Sequence, residues 1–264
     1  MDVIVTAGGT PEEGDPLFAY TQGRPKALLD ISGKPMIQWV LDALNAAQQI
    51  RRIVVVGLPP TTSLNSLKPM TLLDDHHGML ENLRAGVSEI TRQDPSADLV
   101  IAASSDIPAI TGEMVDWLIN IIQQTEHDLY YNVITREVME KRFPGSHRTY
   151  LHLQELELCG GDINAMRASA LSNENPAWNK IIAARKSPLK QASIVGFDTL
   201  LMLLLRRYSI ARIEKIISQR LGFRGHALLC PYAEMAMDVD KPHQLEIISN
   251  DLTASIAHAL ANPV

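Results

Sequence analysis

Val3-Ile4-Val5-Thr6-Ala7-Gly8-Gly9-Thr10 joins an apolar run to a glycine turn. Val3–Thr6 is a β-branched run without polar alternation, which suits a strand buried on both faces of a parallel sheet. Ala7–Thr10 then turns the chain sharply. Its paired glycines let backbone N–H groups approach a phosphate closely, although Gly-Gly is also an ordinary turn signal. Ile53–Gly57 and Leu99–Ala103 are runs of the same kind, and Asp128–Ile134 reads as a fourth strand. Amphipathic stripes lie between them. Ile37, Val40, Leu41 and Leu44 form one; Leu80, Leu83, Val87 and Ile90 a second; Met114, Leu118, Ile121 and Ile122 a third, behind Thr111 as N-cap. Strand–helix–strand repetition predicts right-handed crossovers and a doubly wound α/β sheet.

The second half of the chain is less regular. Tyr150–Leu158 alternates and reads as an antiparallel strand, while His226–Cys230 and Met235–Val239 read as short strands. Residues 176–222 read as a mostly helical subregion with breaks at Gly196 and Gly222. Pro242 opens a last helix carrying Leu245, Ile248, Leu252 and Ile256. No low-complexity linker divides the halves, so a single domain over 1–264 is expected.

Composition removes several function classes. The 264 residues are 46% hydrophobic and 20% charged, an ordinary globular balance. Lys and Arg number 24 against 30 Asp and Glu, a formal net charge of −6 with no basic run, so no nucleic-acid partner is expected. Two cysteines, Cys159 and Cys230, make neither a disulfide framework nor a C-x-x-C pair, and a reducing cytoplasm is the expectation. The apolar segment Thr199–Leu205 is far shorter than the roughly 20 residues that span a bilayer, so no membrane is expected. There is no H-E-x-x-H and no G-x-S-x-G. Trp39, Trp117 and Trp178 are scattered, as packing residues would be.

Two further segments follow the glycine turn: Gly23-Arg24-Pro25-Lys26-Ala27-Leu28-Leu29 and Ser32-Gly33-Lys34-Pro35-Met36. A-G-G, then P-K-A-L-L, then S-G-K-P-M before a helix resembles the nucleotidyltransferases of the molybdenum-cofactor guanylyltransferase and sugar-1-phosphate type, the MobA-like NTP transferases. The resemblance implies a Rossmann-like three-layer α/β/α sandwich with a mainly parallel sheet, the glycosyltransferase-A-type nucleotidyltransferase fold. It implies transfer of NMP from an NTP to a phosphorylated small-molecule acceptor with release of pyrophosphate, and Mg²⁺ (or Mn²⁺) as cofactor. Ala7, Gly8, Gly9, Thr10 and Lys26 would then bind the nucleotide, with Lys26 and Arg24 offsetting phosphate charge. Attack on an α-phosphate builds negative charge that fixed cations and a metal can stabilise.

Four more landmarks follow the family's order. Asp74-Asp75-His76-His77-Gly78 precedes a helix, and the resemblance puts Gly78 and Asn82 beside the nucleobase. Metal binding by His76 and His77 is the weaker reading, since adjacent residues rarely converge on one ion. Ser104-Ser105-Asp106-Ile107-Pro108 ends a buried strand in a carboxylate, at the sheet edge where open α/β folds bind ligands. The resemblance makes Asp106 both catalytic and a metal ligand. Met237-Asp238-Val239-Asp240-Lys241-Pro242 would complete the metal site through one of Asp238 and Asp240. Asp240 is equally suited to cap the following helix. Gly160, Gly161, Asp162 and Asn164 would border the acceptor, where relatives have T-G-G-N; a turn is the competing reading. Lys180, Arg185, Lys186 and Lys190 read as a solvated helix face.

The chain departs from the family within the glycine loop. A-G-G is followed by Pro11-Glu12-Glu13-Gly14-Asp15-Pro16, without the usual third glycine and arginine. Glu12, Glu13 and Asp15 would repel a triphosphate, so Pro11–Phe18 is expected to run away from the phosphates, with Arg24 standing in for the missing arginine. The rival readings are a nucleotide-sugar glycosyltransferase, for which Asp106 lacks a D-x-D partner, and a non-catalytic nucleotide-binding regulator. A homodimer is compatible with the sequence.

Overall fold

The structure is a computed structural model that describes residues 1–171 and 208–261. Its centre is a mixed sheet. β1 (Asp2–Thr6), β4 (Arg52–Val56), β5 (Met70–Leu73) and β6 (Leu99–Ser104) run parallel in the order β5-β4-β1-β6. β10 (Ile163–Arg167) then pairs antiparallel with β6 and β7 (Leu129–Thr135). β7 also pairs antiparallel with β9 (Glu157–Gly160), and parallel with β11 (Gly225–Leu229). β9 closes a hairpin with β8 (Leu151–His152), and a two-stranded ribbon, β2 (Asp30–Ile31) and β3 (Lys34–Pro35), precedes the first long helix. A short helix, α1 (Phe18–Thr21), lies within the loop that follows β1.

Side-chain alternation along the parallel strands sorts the core into two layers. Val3, Val5, Ile53, Val55, Ile101 and Ala103 face one way. They meet α2 (Met36–Ala46), α4 (Gly112–Ile122) and α7 (Pro242–Ala261) through Leu41, Leu118 and Ile248. Ile4, Val54, Val56 and Val100 face the other way, onto Leu80, Leu83, Val87 and Ile90 of α3 (Met79–Gln93). Each fully buried Val, Ile or Leu contributes about 1.5–3 kcal/mol, so this double-sided burial explains the unbroken apolar runs. Thr111 caps α4 by accepting from the Met114 N–H, and Thr135 caps α5 (Arg136–Arg142) by accepting from Val138.

The chain moves from β1 outward to β4 and β5, then crosses back through α3 to β6 on the other side of β1. That reversal puts a crevice at the carboxyl ends of β1 and β6. The Ser105 N–H donates to the Thr6 carbonyl at 3.1 Å and ties the two ends together.

Three expectations are corrected. Met235–Val239 is not a strand: Ala233–Ala236 forms a 3-10 turn, and the Val239 N–H goes to the carbonyl of Asp106. Tyr150–Leu158 is not one strand but β8 and β9, because the Leu153 N–H folds back onto the Leu156 carbonyl at 2.8 Å. Four strands, β2, β3, β5 and β10, were not expected; β2 and β3 are two residues each, β5 is only half buried, and β10 carries Asn164 and Arg167 in its run. The expected helical subregion over 176–222 lies outside the described residues except at its end, where α6 (Ile210–Leu221) stops at a left-handed Gly222. Trp178, Gly196, Thr199–Leu205, Lys180, Arg185, Lys186 and Lys190 also lie outside them. Among the described residues no helix is long and apolar enough to cross a membrane.

Candidate active site

The glycine loop is held from below. The Ala7 N–H donates to the Val56 carbonyl at 2.8 Å. Gly57, at φ +115°, lies so close under the loop that a Cβ there would sit 2.1 Å from the Gly8 nitrogen. Gly9 is tied forward: its carbonyl accepts the Lys26 N–H at 2.8 Å, so the excursion between them begins and ends at one place. Within that excursion Pro11 and Leu17 are buried as anchors, whereas Glu12, Glu13 and Asp15 are exposed. The Asp15 carboxylate accepts the Glu12 N–H at 2.7 Å, so one of the three charges is spent on its own turn. Gly9 and Thr10 are exposed. Arg24 is exposed too, and its Nε donates to the Thr21 carbonyl at 3.2 Å.

Lys26 opens a 3-10 turn, Lys26–Leu28, and its ammonium reaches across the crevice. Nζ pairs with Asp106 Oδ2, and with Asp240 Oδ1 at 2.5 Å. The other Asp106 oxygen accepts from the Ser104 hydroxyl. Asp106 is thus fixed at both oxygens, while the Asp240 side chain is 57% exposed. Burial pulls the Lys26 ammonium down, but Asp106 and Asp240 outweigh it and hold its pKa above the ordinary lysine range. Asp240 does not spend its carboxylate on a helix cap; its N–H instead donates to Gln244 Oε1 at 3.0 Å.

A second charged group adjoins the first. Arg148 pairs with Asp238, lies 3.5 Å from Asp162 Oδ2, and donates to the Gly160 carbonyl at 3.3 Å. Burial and the nearby charge of Asp106 push the Asp162 carboxyl up to about 7, against the pull of Arg148. The two groups touch through backbone: the Ser104 N–H donates to the Asp162 carbonyl at 2.8 Å. Gly161 packs against Asn132, with an added Cβ falling 2.9 Å from the Asn132 Cβ. Asn164 is committed internally, accepting from the Asn132 N–H and donating to the Gly161 carbonyl.

On the far side of the glycine loop, Asn82 bonds two neighbours. Its Nδ2 donates to Asp75 Oδ1 at 2.8 Å and its Oδ1 accepts from the His76 N–H. A Cβ on Gly8 would meet that Asp75 oxygen at 2.4 Å, so glycine there leaves room for the carboxylate. Gly78 starts α3 in extended backbone. His77 is almost fully exposed.

The crevice therefore gathers Lys26, Asp106 and Asp240, with Asp162, Arg148 and Asp238 beside them. Arg148 and Asp75 join these residues: Asp75 lies in the Asp74–Gly78 landmark, where it had no role of its own, and Arg148 is brought in by the fold. Among the described residues no three His, Cys, Asp or Glu side chains converge as a metal cluster. Asp106 and Asp240 share the single Lys26 ammonium, two carboxylates to one cation, and Asp162 Oδ2 beside them is buried without a hydrogen-bond partner. This excess of negative charge suits a hard divalent cation of the magnesium kind, which takes one or two carboxylates and fills its remaining positions from phosphates and water.

Known proteins share this fold. A hypothetical transferase from Thermus thermophilus superposes with a TM-score of 0.80 at 34% identity, over 92% of this chain and 98% of that one. The same fold is found in 2-C-methyl-D-erythritol 4-phosphate cytidylyltransferase, also from Thermus thermophilus, at TM-score 0.54 and 13% identity over 95% and 97% of the two chains. In sequence, a 3-deoxy-manno-octulosonate cytidylyltransferase of Bdellovibrio bacteriovorus is 21% identical over 108 residues, which are 39% of this chain and 42% of that enzyme. The chain thus matches less than half the length of that curated relative. The family model for the MobA-like NTP transferase domain matches residues 3–257, and the chain belongs to that family.

Proposed function

We propose that this chain transfers a nucleoside monophosphate from an NTP to a phosphorylated small-molecule acceptor and releases pyrophosphate. The observation that carries the reading is Lys26 held between Asp106 and Asp240, in the crevice where the strand order reverses. Backbone N–H groups of Gly8, Gly9 and Thr10 would receive the triphosphate, with Arg24 meeting its outer end. The acceptor phosphate would attack the α-phosphorus in line, so no covalent enzyme nucleophile is needed. Lys26 would offset the charge that grows on the α-phosphate. The Gly160–Gly161 backbone and Asp162 would border the acceptor. Asp75, held by Asn82 against Gly8, would lie toward the nucleobase.

Asp106 and Asp240 are the residues that would hold Mg²⁺, with Asp238 kept from that role by Arg148. When bound, the ion would neutralise phosphate oxygens and orient the triphosphate. CTP is the first nucleotide to try, because two of the three relatives named above are cytidylyltransferases.

Pyrophosphate release, followed with a panel of NTPs and phosphorylated acceptors, tests the proposal. Production of pyrophosphate together with an NMP-linked product, lost in Asp106→Ala, supports it. Nucleotide-sugar cleavage without pyrophosphate would indicate the glycosyltransferase reading. Nucleotide binding without turnover across the panel would indicate a regulator.

A further inference from the structure

We propose that in the nucleotide-free protein Lys26 holds the place of the divalent cation between Asp106 and Asp240, so that the metal gains those carboxylates only when a triphosphate draws Lys26 away. This rests on the metal assignment made above. The geometry supplies the argument. Nζ contacts one oxygen of each carboxylate at once. The second oxygen of Asp106 is held by Ser104, so Oδ2 is the oxygen that an incoming ion must contest. A positive charge already sits there, and a metal arriving alone meets both repulsion and engaged ligands.

Lys26 is also built to leave. Its backbone N–H is fixed to Gly9, so the root of the side chain lies in the glycine loop and its tip in the acid pair. A flexible four-carbon stem can redirect the ammonium from one to the other without moving the backbone. A triphosphate lying along Gly8–Thr10 would supply the opposing attraction. Asp240, being largely exposed, stands on the side open to an arriving ion.

The inference predicts opposite signs for two affinities. Titration of Mn²⁺ into nucleotide-free protein, read by electron paramagnetic resonance, should show at least tenfold tighter binding in Lys26→Met than in wild type. Lys26→Gln should behave alike, and a second change, Asp106→Asn, should abolish the gain. CTP added to wild type should raise its Mn²⁺ affinity, whereas Lys26→Met should bind CTP more weakly than wild type. Arg24→Gln, which removes a cation two residues from Lys26 that is bonded to the Thr21 carbonyl and not to the acid pair, should leave nucleotide-free Mn²⁺ affinity within twofold.

Equal or weaker Mn²⁺ binding in both Lys26 variants, still dependent on Asp106, would overturn the exchange and leave the metal site standing. An equal gain in Arg24→Gln would also overturn it, by reducing the effect to net charge. No Asp106-dependent Mn²⁺ binding in any variant, with or without CTP, would remove the metal assignment together with the inference.

Discussion

The backbone N–H of Val239 donates to the carbonyl of Asp106 at 2.9 Å. That bond lays the segment from Met237 to Asp240 beside the end of β6, and successive side chains diverge from it. Asp238 goes to Arg148 and Asp240 to Lys26. Two aspartates that look equivalent in sequence thereby acquire different work.

Asp240→Asn should lower turnover by about 10²-fold while barely moving the unfolding midpoint, as expected if this largely exposed group serves the proposed reaction rather than the core. Asp238→Asn should do the reverse. It leaves Arg148, only 14% exposed, without its full charge partner, and breaking such a pair costs up to about 3–5 kcal/mol. Urea unfolding beside steady-state rates would measure both. A stable Asp238→Asn protein with abolished turnover would exchange the two roles.

The acid Asp162 predicts a pH dependence of stability. Burial raises its folded pKa from 3.8 to about 7. A carboxyl raised on folding stabilises the fold fully below its unfolded pKa, and that contribution is lost as pH rises through the folded pKa. Wild type should therefore lose stability, relative to Asp162→Asn, between about pH 4 and pH 7, and run parallel to it above pH 8. Denaturation midpoints across pH 4–9, without metal or nucleotide, would show this. Parallel curves over the whole range would mean that Asp162 is ionised throughout.

Legibility in the sequence followed the physics of each signal. Strands buried on both faces, such as Val3–Thr6 and Leu99–Ala103, announce themselves because every position must be apolar. β10 does not, since Asn164 is drawn to the neighbouring Asn132 and Gly161 backbone rather than to a core face. Met235–Val239 misled for a related reason. Its apolar residues fill the core beside α7, but its N–H groups serve a loop instead of a ladder. For the candidate site, the family resemblance marked Lys26, Asp106 and the pair Asp238 and Asp240. Which of those two aspartates pairs with Lys26 was not legible, because it depends on Arg148, about ninety residues earlier in the chain.

Gly57 is the support on which the glycine loop rests. Alanine there must adopt φ +115°, at about 1–3 kcal/mol of strain, and its Cβ would strike backbone at Gly8 that cannot yield cheaply. Gly57→Ala should lower the melting temperature and weaken NTP binding together, because the loop must lift. Gly33→Ala makes a useful control: φ is +89° but no atom lies within 4 Å of the added Cβ. It should cost stability alone. Unchanged NTP affinity in Gly57→Ala, measured by calorimetry, would separate the loop from the nucleotide.

The last prediction concerns the altered loop. Glu12 and Glu13 are exposed, on a turn whose ends are drawn together by Gly9 and Lys26. Charges that face water are screened beyond about 8 Å at physiological salt. Glu12→Gln with Glu13→Gln should therefore change NTP affinity by less than about threefold at that ionic strength, and by more at low salt. Arg24 should behave differently. Its guanidinium spends one N–H on the Thr21 carbonyl, and its remaining donors suit phosphate oxygens. A charge-assisted hydrogen bond is worth about 1.5–3 kcal/mol, so Arg24→Ala should weaken NTP binding by about ten- to a hundredfold. The melting temperature should hardly move, because an exposed arginine bonded to its own turn supports little of the core. Isothermal titration of NTP into both variants would settle the comparison. A large gain from the Glu12 and Glu13 changes, with none lost at Arg24, would place the acidic turn over the phosphates and favour the non-catalytic regulator.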